Sequence, residues 1–121
     1  MNAIIRSVYS TDVDVEIYEP DDPRDDGQWI RLLIGPKEGE GEESFDVLVC
    51  TPAWLARQIE GDQPTLIRHT VLMTSLDLRA AILLLEREVA RVSGATWNDL
   101  LLGLVQIGFW EFQDYREYTQ S

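Results

Sequence analysis

The stretch Trp29–Leu55, WIRLLIGPKEGEGEESFDVLVCTPAWL, decides the fold. Trp29 to Ile34 is strand-like and stops at Gly35-Pro36, a pair that breaks regular structure. Apolar residues resume at Ser44–Cys50, where Phe45, Val47 and Val49 share one face and Asp46, Leu48 and Cys50 the other. Between the two runs lies a glycine-rich acidic loop, long for a tight hairpin. Thr51-Pro52 then opens a helix. A threonine hydroxyl can accept a hydrogen bond from a free amide of the first turn, and proline at the first helical position forfeits none. Trp54, Leu55 and Ile59 supply the apolar face of this helix, and Gly61 is its expected end.

Working outward, Ala3–Tyr9 is a first strand, with Ile5, Ser7 and Tyr9 predicted on one face and Ile4, Arg6 and Val8 on the other. Asp12–Tyr18 alternates strictly and is either an edge strand with its carboxylates in water or an extended linker. Downstream, Leu66–Met73 is predicted as a further strand. From Leu76 the period becomes helical: Leu78, Ile82, Leu85, Val89 and Val92 form one face, and Gly94 stops it. Thr96-Trp97-Asn98-Asp99 has the pattern of a capping box. The helix it opens carries Trp97, Leu100, Leu101, Leu104 and Val105 on one side and should end near Gly108, leaving Phe109–Tyr115 as an aromatic, acidic tail. Such segregated elements predict an α+β fold: an antiparallel sheet of about four strands with about three helices packed on one face, residues 1–121 forming a single domain.

Charge narrows the function. Of 121 residues, 22 are Asp or Glu and 10 are Lys or Arg, a net charge of −12. Residues 1–50 alone carry net −9, mostly in two segments that read as loops, Glu19–Gly27 and Gly35–Glu43. Direct nucleic-acid binding is disfavoured, because each phosphate contact needs a positive partner. No apolar run approaches the ~18 residues of a membrane span. A lone cysteine excludes an internal disulfide, and Met1–Arg6 lacks the apolar core of a secretion signal, so a cytoplasmic location is expected.

The usual chemistries find no support. One cysteine and one histidine are too few for a structural zinc site, and the acidic runs from Asp12 and Asp22 fail the calcium-loop pattern at Ile17 and at Arg24 and Leu33. Cys50 and His69 each sit in an apolar run, which suits a buried thiol and a hydrogen-bonded imidazole better than a nucleophile and its base. The Gly35–Gly41 loop would repel a phosphate through Glu38, Glu40, Glu42 and Glu43. No catalytic, cofactor-binding or metal-ligating residue is therefore expected. Trp29, Trp54 and Trp97 read as core residues, whereas Trp110, between Phe109 and Phe112, either caps the core or anchors an interface.

The order of motifs resembles the bacterial immunity protein 8 family. The Ile-Gly-Pro turn at Ile34–Pro36, the acidic glycine-rich loop, Ser44-Phe45-Asp46 with its apolar strand, and Thr51-Pro52-Ala53-Trp54-Leu55 carry the resemblance. It extends to Asp12-Val13-Asp14, Tyr18-Glu19-Pro20, Arg68-His69, Thr96-Trp97 and Ile107-Gly108-Phe109-Trp110-Glu111-Phe112. Leu76–Val92 carries no matching motif. The resemblance implies an α+β domain without enzymatic activity or cofactor, acting as a cytoplasmic antidote that binds a cognate toxin domain of a polymorphic-toxin or contact-dependent inhibition system. Excess negative charge fits a basic toxin such as a nuclease. Charge and expected exposure, not the family, place the contact surface at Asp21, Asp22, Asp25, Asp26, Glu38, Glu40, Glu42 and Glu43, with Trp110 or Tyr115 as an apolar anchor. An acidic nucleic-acid mimic and a carboxylate-based enzyme are the alternative readings of the same acidity.

Overall fold

In a computed structural model, residues 1–59 and 61–112 are described. A mostly antiparallel sheet is built on the hairpin of β2 (Gly27–Pro36) and β3 (Glu43–Cys50), with β1 (Ala3–Tyr9) antiparallel to β2. The hairpin faces fall as alternation requires. Ile30, Leu32 and Ile34 from β2 and Phe45, Val47 and Val49 from β3 are all buried on the core face.

The other edge of β3 is shared by two short strands end to end. Phe109–Trp110 (β5) pairs antiparallel with Phe45 and Asp46, and Thr70–Leu72 (β4) pairs parallel with Leu48 to Cys50. The predicted strand Leu66–Met73 is thus cut to its last part. His69 takes a positive φ of 53° immediately before β4, and Leu66 is 77% exposed. Apolar composition suggested a longer strand, but the edge beside Phe45 and Asp46 is taken by β5. Part of the predicted tail is therefore sheet. The parallel pairing needs a crossover, which α1 (Pro52–Arg57) and the segment after it provide.

α2 (Leu78–Ala90) and α3 (Trp97–Leu104) cover the core face. Leu78, Ala81, Leu85 and Val89 from α2 and Leu100 and Leu104 from α3 join the buried cluster. Asp77 caps α2 through the amides of Arg79 and Ala80, and the expected Thr96/Asp99 capping box opens α3. The Thr51 hydroxyl accepts from the Trp54 amide at 3.4 Å with Pro52 in the first turn, as expected. α1 nevertheless ends at Arg57, well before Gly61, because none of its residues is buried and no core contact sustains another turn.

Two departures have local causes. Asp12–Tyr18 is not a strand: the amides of Ile17 and Tyr18 bond back to the Asp14 carbonyl, and Val13, Val15 and Tyr18 reach the core from turns. In β1 the expected faces hold only in part. A bulge lies between Ile5, paired with Ile34, and Ser7, paired with Leu33. Ala3, Ile5 and Val8 consequently face the core, while Ser7 and Tyr9 lie on the opposite face with Leu33 and Arg31.

At Gly35 the loop folds back on the hairpin so tightly that a Cβ would sit 2.1 Å from the Gly41 carbonyl oxygen and 2.5 Å from Arg6 Nε. Gly35→Ala should therefore lower stability by about 1–3 kcal/mol, the usual cost of overpacking. A fall in the urea midpoint at unchanged slope would register it.

Candidate functional site

The two acidic segments do not form one patch. Asp21–Asp26 precedes the start of β2 and residues 37–42 follow its end, so the ten residues of β2 hold them about 30 Å apart. Each segment is tied down by an arginine. Arg6 Nη2 donates to the carbonyls of Pro36 at 2.6 Å and Gly39 at 2.9 Å, and Nε donates to Gly41 at 3.3 Å. At the opposite end Arg57 of α1 pairs with Asp25 at 2.5 Å.

The individual carboxylates differ in what they already do. Asp22 Oδ1 accepts from the Arg24 amide, closing a local turn. Asp26 accepts from the Tyr18 hydroxyl, and its backbone N–H donates to Thr51 Oγ1 at 3.2 Å. Glu43 accepts from the Trp110 indole N–H, so these two predicted contact residues meet each other. Trp110 is half-buried, packs against the core cluster and contacts Phe112 edge-on at 5.4 Å. Asp21, Glu38, Glu40 and Glu42 are exposed. Tyr115 lies outside the described residues.

The face of the sheet opposite the helices carries residues that the acidic-loop reading passed over. Tyr9, Trp29, Arg31, Leu33, Asp46 and Phe109 all project there by register. Trp29, read from sequence as core, is 46% exposed, and Tyr9 is 41% exposed. The alternation of Trp29, Arg31 and Leu33 against Ile30, Leu32 and Ile34 held the signal, since an arginine in that phase marks a face in contact with water. Arg31 spans to Asp46 across the hairpin with two bonds of 2.7 and 3.0 Å, and the Asp46 carboxylate followed by Tyr9 raises its pKa further. Phe109 bridges Trp29, 6.0 Å between centroids, and His69, 4.1 Å. Trp54 lies over Gly27 at one end of this face, and the folded-back loop lies over Gly35 at the other. Among the described residues no helix covers the middle.

Cys50 and His69 are not brought together. Cys50 pairs with Leu72, three residues and roughly 10 Å along from His69. His69 Nε2 donates to the Val105 carbonyl at 2.6 Å, while its buried Nδ1 has no partner among the described residues. Burial pushes the Cys50 thiol up. Among the described residues no group of three or more His, Cys, Asp or Glu is placed to hold a metal ion, and no helix is long and apolar enough to cross a membrane.

This is the frame of an immunity protein: a family model described as immunity protein 8 matches residues 3–115, nearly the whole chain. The chain belongs to the immunity protein 8 family. No curated protein and no solved structure matches it. The expected resemblance is thereby shown, and the glycines, caps and indoles that carried it acquire structural roles: Gly35 beneath the loop, Thr51 and Thr96 as caps, Trp54 over Gly27 and Trp110 on Glu43.

Two outcomes follow for the titrating groups. Tyr18 is raised first by burial and then by its bond to Asp26. The folded state holds this proton more tightly than the unfolded chain does, so the stability it contributes is complete below about pH 10 and declines as pH rises through the folded value. In urea unfolding as a function of pH, Tyr18→Phe should therefore lack part of the wild-type loss above about pH 10. Cys50 should resist alkylation by iodoacetamide at pH 8 in the folded protein and react fully in urea.

Proposed function

We propose that the chain acts as a single immunity domain in the cytoplasm. It would neutralise the toxin domain of a contact-dependent inhibition or other polymorphic-toxin system by occluding the toxin's active site or substrate groove. The family match over residues 3–115 carries this reading. The partner inferred from charge is a basic domain, a nuclease being the natural case, because a groove that attracts phosphates also attracts carboxylates. Net −9 within residues 1–50 supports that inference, as do the exposed Asp21, Glu38, Glu40 and Glu42. Inhibition of this kind needs no catalytic group or cofactor in the immunity protein: a tight complex that denies access to substrate suffices.

Not all predicted contact residues are equally available. Asp25, Asp26 and Glu43 spend their carboxylates inside the protein, on Arg57, Tyr18 and Trp110. The charges left to face a partner are chiefly Asp21, Glu38, Glu40 and Glu42, with Asp22 shared between its turn and solvent. Exposed charges of this sort accelerate encounter and align it more than they add affinity.

Calorimetric titration against the C-terminal domain encoded immediately upstream is the direct test. A one-to-one complex of nanomolar or tighter affinity that persists from ~0.15 to ~1 M salt is expected, with screening lengths of about 8 and 3 Å. Binding that disappears with salt would indicate an acidic decoy, and absence of binding would remove the reading. Replacing Glu38, Glu40 and Glu42 together by Gln should slow association by about tenfold at low salt, with little change in dissociation.

A further inference from the structure

We propose that the open face of the sheet, centred on Trp29 and Tyr9, is the surface that receives the toxin, and that its occupant is a basic protein domain spanning both acidic loops at once. This rests on the immunity reading above and adds to it the docking face and the residues at its centre.

Three observations converge. The first is exposure where a two-layer fold does not require it. α2 and α3 bury the core face, whereas the opposite face leaves Trp29 and Tyr9 nearly half exposed beside Leu33, Phe109 and the Arg31–Asp46 pair. Large aromatic side chains and a bidentate arginine are the residue types that dominate binding energy when a partner excludes water from them. Exposed leucines elsewhere, such as Leu83 on α2 and Leu102 on α3, stand singly on the helical side and need no explanation.

The second is that both acidic loops are fastened to the rim of this face. The Gly35 position points to the open side, and it is there that the Gly41 carbonyl and the Arg6 guanidinium close over the strand. Gly27 points to the same side at the other end, beneath the Trp54 ring, and the same short helix supplies Arg57 to Asp25. One end of the face holds Asp21, Asp22 and Asp25 against Arg24 and Arg57; the other holds Glu38, Glu40 and Glu42 against Lys37 and Arg6, whereas the Asp26 and Glu43 carboxylates turn to Tyr18 and Trp110 on the helical side. Both ends stay net negative after these cations are counted, three carboxylates against two at each, while the centre is neutral through the Arg31–Asp46 pair. An apolar centre with a charged rim is the anatomy of a protein interface. The sign of the rim selects a basic partner.

The third is size. β2 gives a length of about 30 Å, and four strand widths at about 4.8 Å give about 19 Å. Leu48 and Cys50 are already buried at the Trp54 end of this face, so the loops at each end supply the rest of the roughly 800 Å² that each partner contributes to a standard interface.

The test is titration of full-length variants with the same upstream-encoded C-terminal domain. Trp29→Ala and Tyr9→Ala should each weaken binding by about tenfold or more, mainly through faster dissociation. Ser7→Arg adds bulk and positive charge at an exposed position of the open face without removing any packing, and should weaken binding at least as much. Leu83→Ala, Leu102→Ala and Ala90→Arg on the helical side should change it by less than about threefold. Thermal unfolding of each variant verifies that it folds. If the wild type binds while Trp29→Ala, Tyr9→Ala and Ser7→Arg bind as well as it does, the docking face is wrong and the immunity reading stands. If the wild type fails to bind, both fall. A concentration-dependent dimer that Trp29→Ala disperses would make the face a contact between two copies and would also overturn the proposal.

Discussion

Every backbone N–H and C=O on a strand buried as deeply as β3 needs a partner, and the rest of the architecture follows from how those partners are found. β2 satisfies one edge through eight paired positions. The other edge is met from two distant parts of the chain, β4 beside Leu48 to Cys50 and β5 beside Phe45 and Asp46. Bringing β4 in parallel requires the crossover through α1, and bringing β5 in requires that α3 end where Gly108 can approach Phe45. The helices α2 and α3 lie between these commitments and fill the core face that β2 and β3 present.

The same arrangement settles the electrostatics. A chain of net −12 gains nothing by gathering its carboxylates, since like charges raise one another's cost. The hairpin separates the two acidic loops by its own length, and Arg6 and Arg57 fix each loop without neutralising it. Among the described residues Arg6 bonds to carbonyl oxygens, so Glu38, Glu40 and Glu42 keep their charge free; Arg57 binds Asp25 and leaves Asp21 exposed.

Much of this was legible in the sequence because it was local. The hairpin, the Thr51 and Thr96 caps and the core stripe of α2 depend on residues within a few positions of each other, and they occur where spacing placed them. What escaped was set by distant partners. The phase of β1 changes at a bulge that alternation alone cannot reveal, β4 is short because β5 occupies the neighbouring edge, and Trp29 is exposed because no helix among the described residues covers it. Of the candidate contact residues, exposure was foreseen for Asp21, Glu38, Glu40 and Glu42, but the internal bonds of Asp25, Asp26 and Glu43 join residues 8 to 67 positions apart.

The shared edge of β3 has a consequence in time. At synthesis rates of about 5–20 residues per second, the interval between Asp46 and Phe109 leaving the ribosome's active centre is about 3–13 s. Throughout it, part of the central strand has no sequence available to pair with. A chain interrupted before Phe109 would carry an unpaired edge on its most apolar strand, the kind of surface that chaperones and proteases recognise. Only a chain read through Trp110 can close this edge of the sheet.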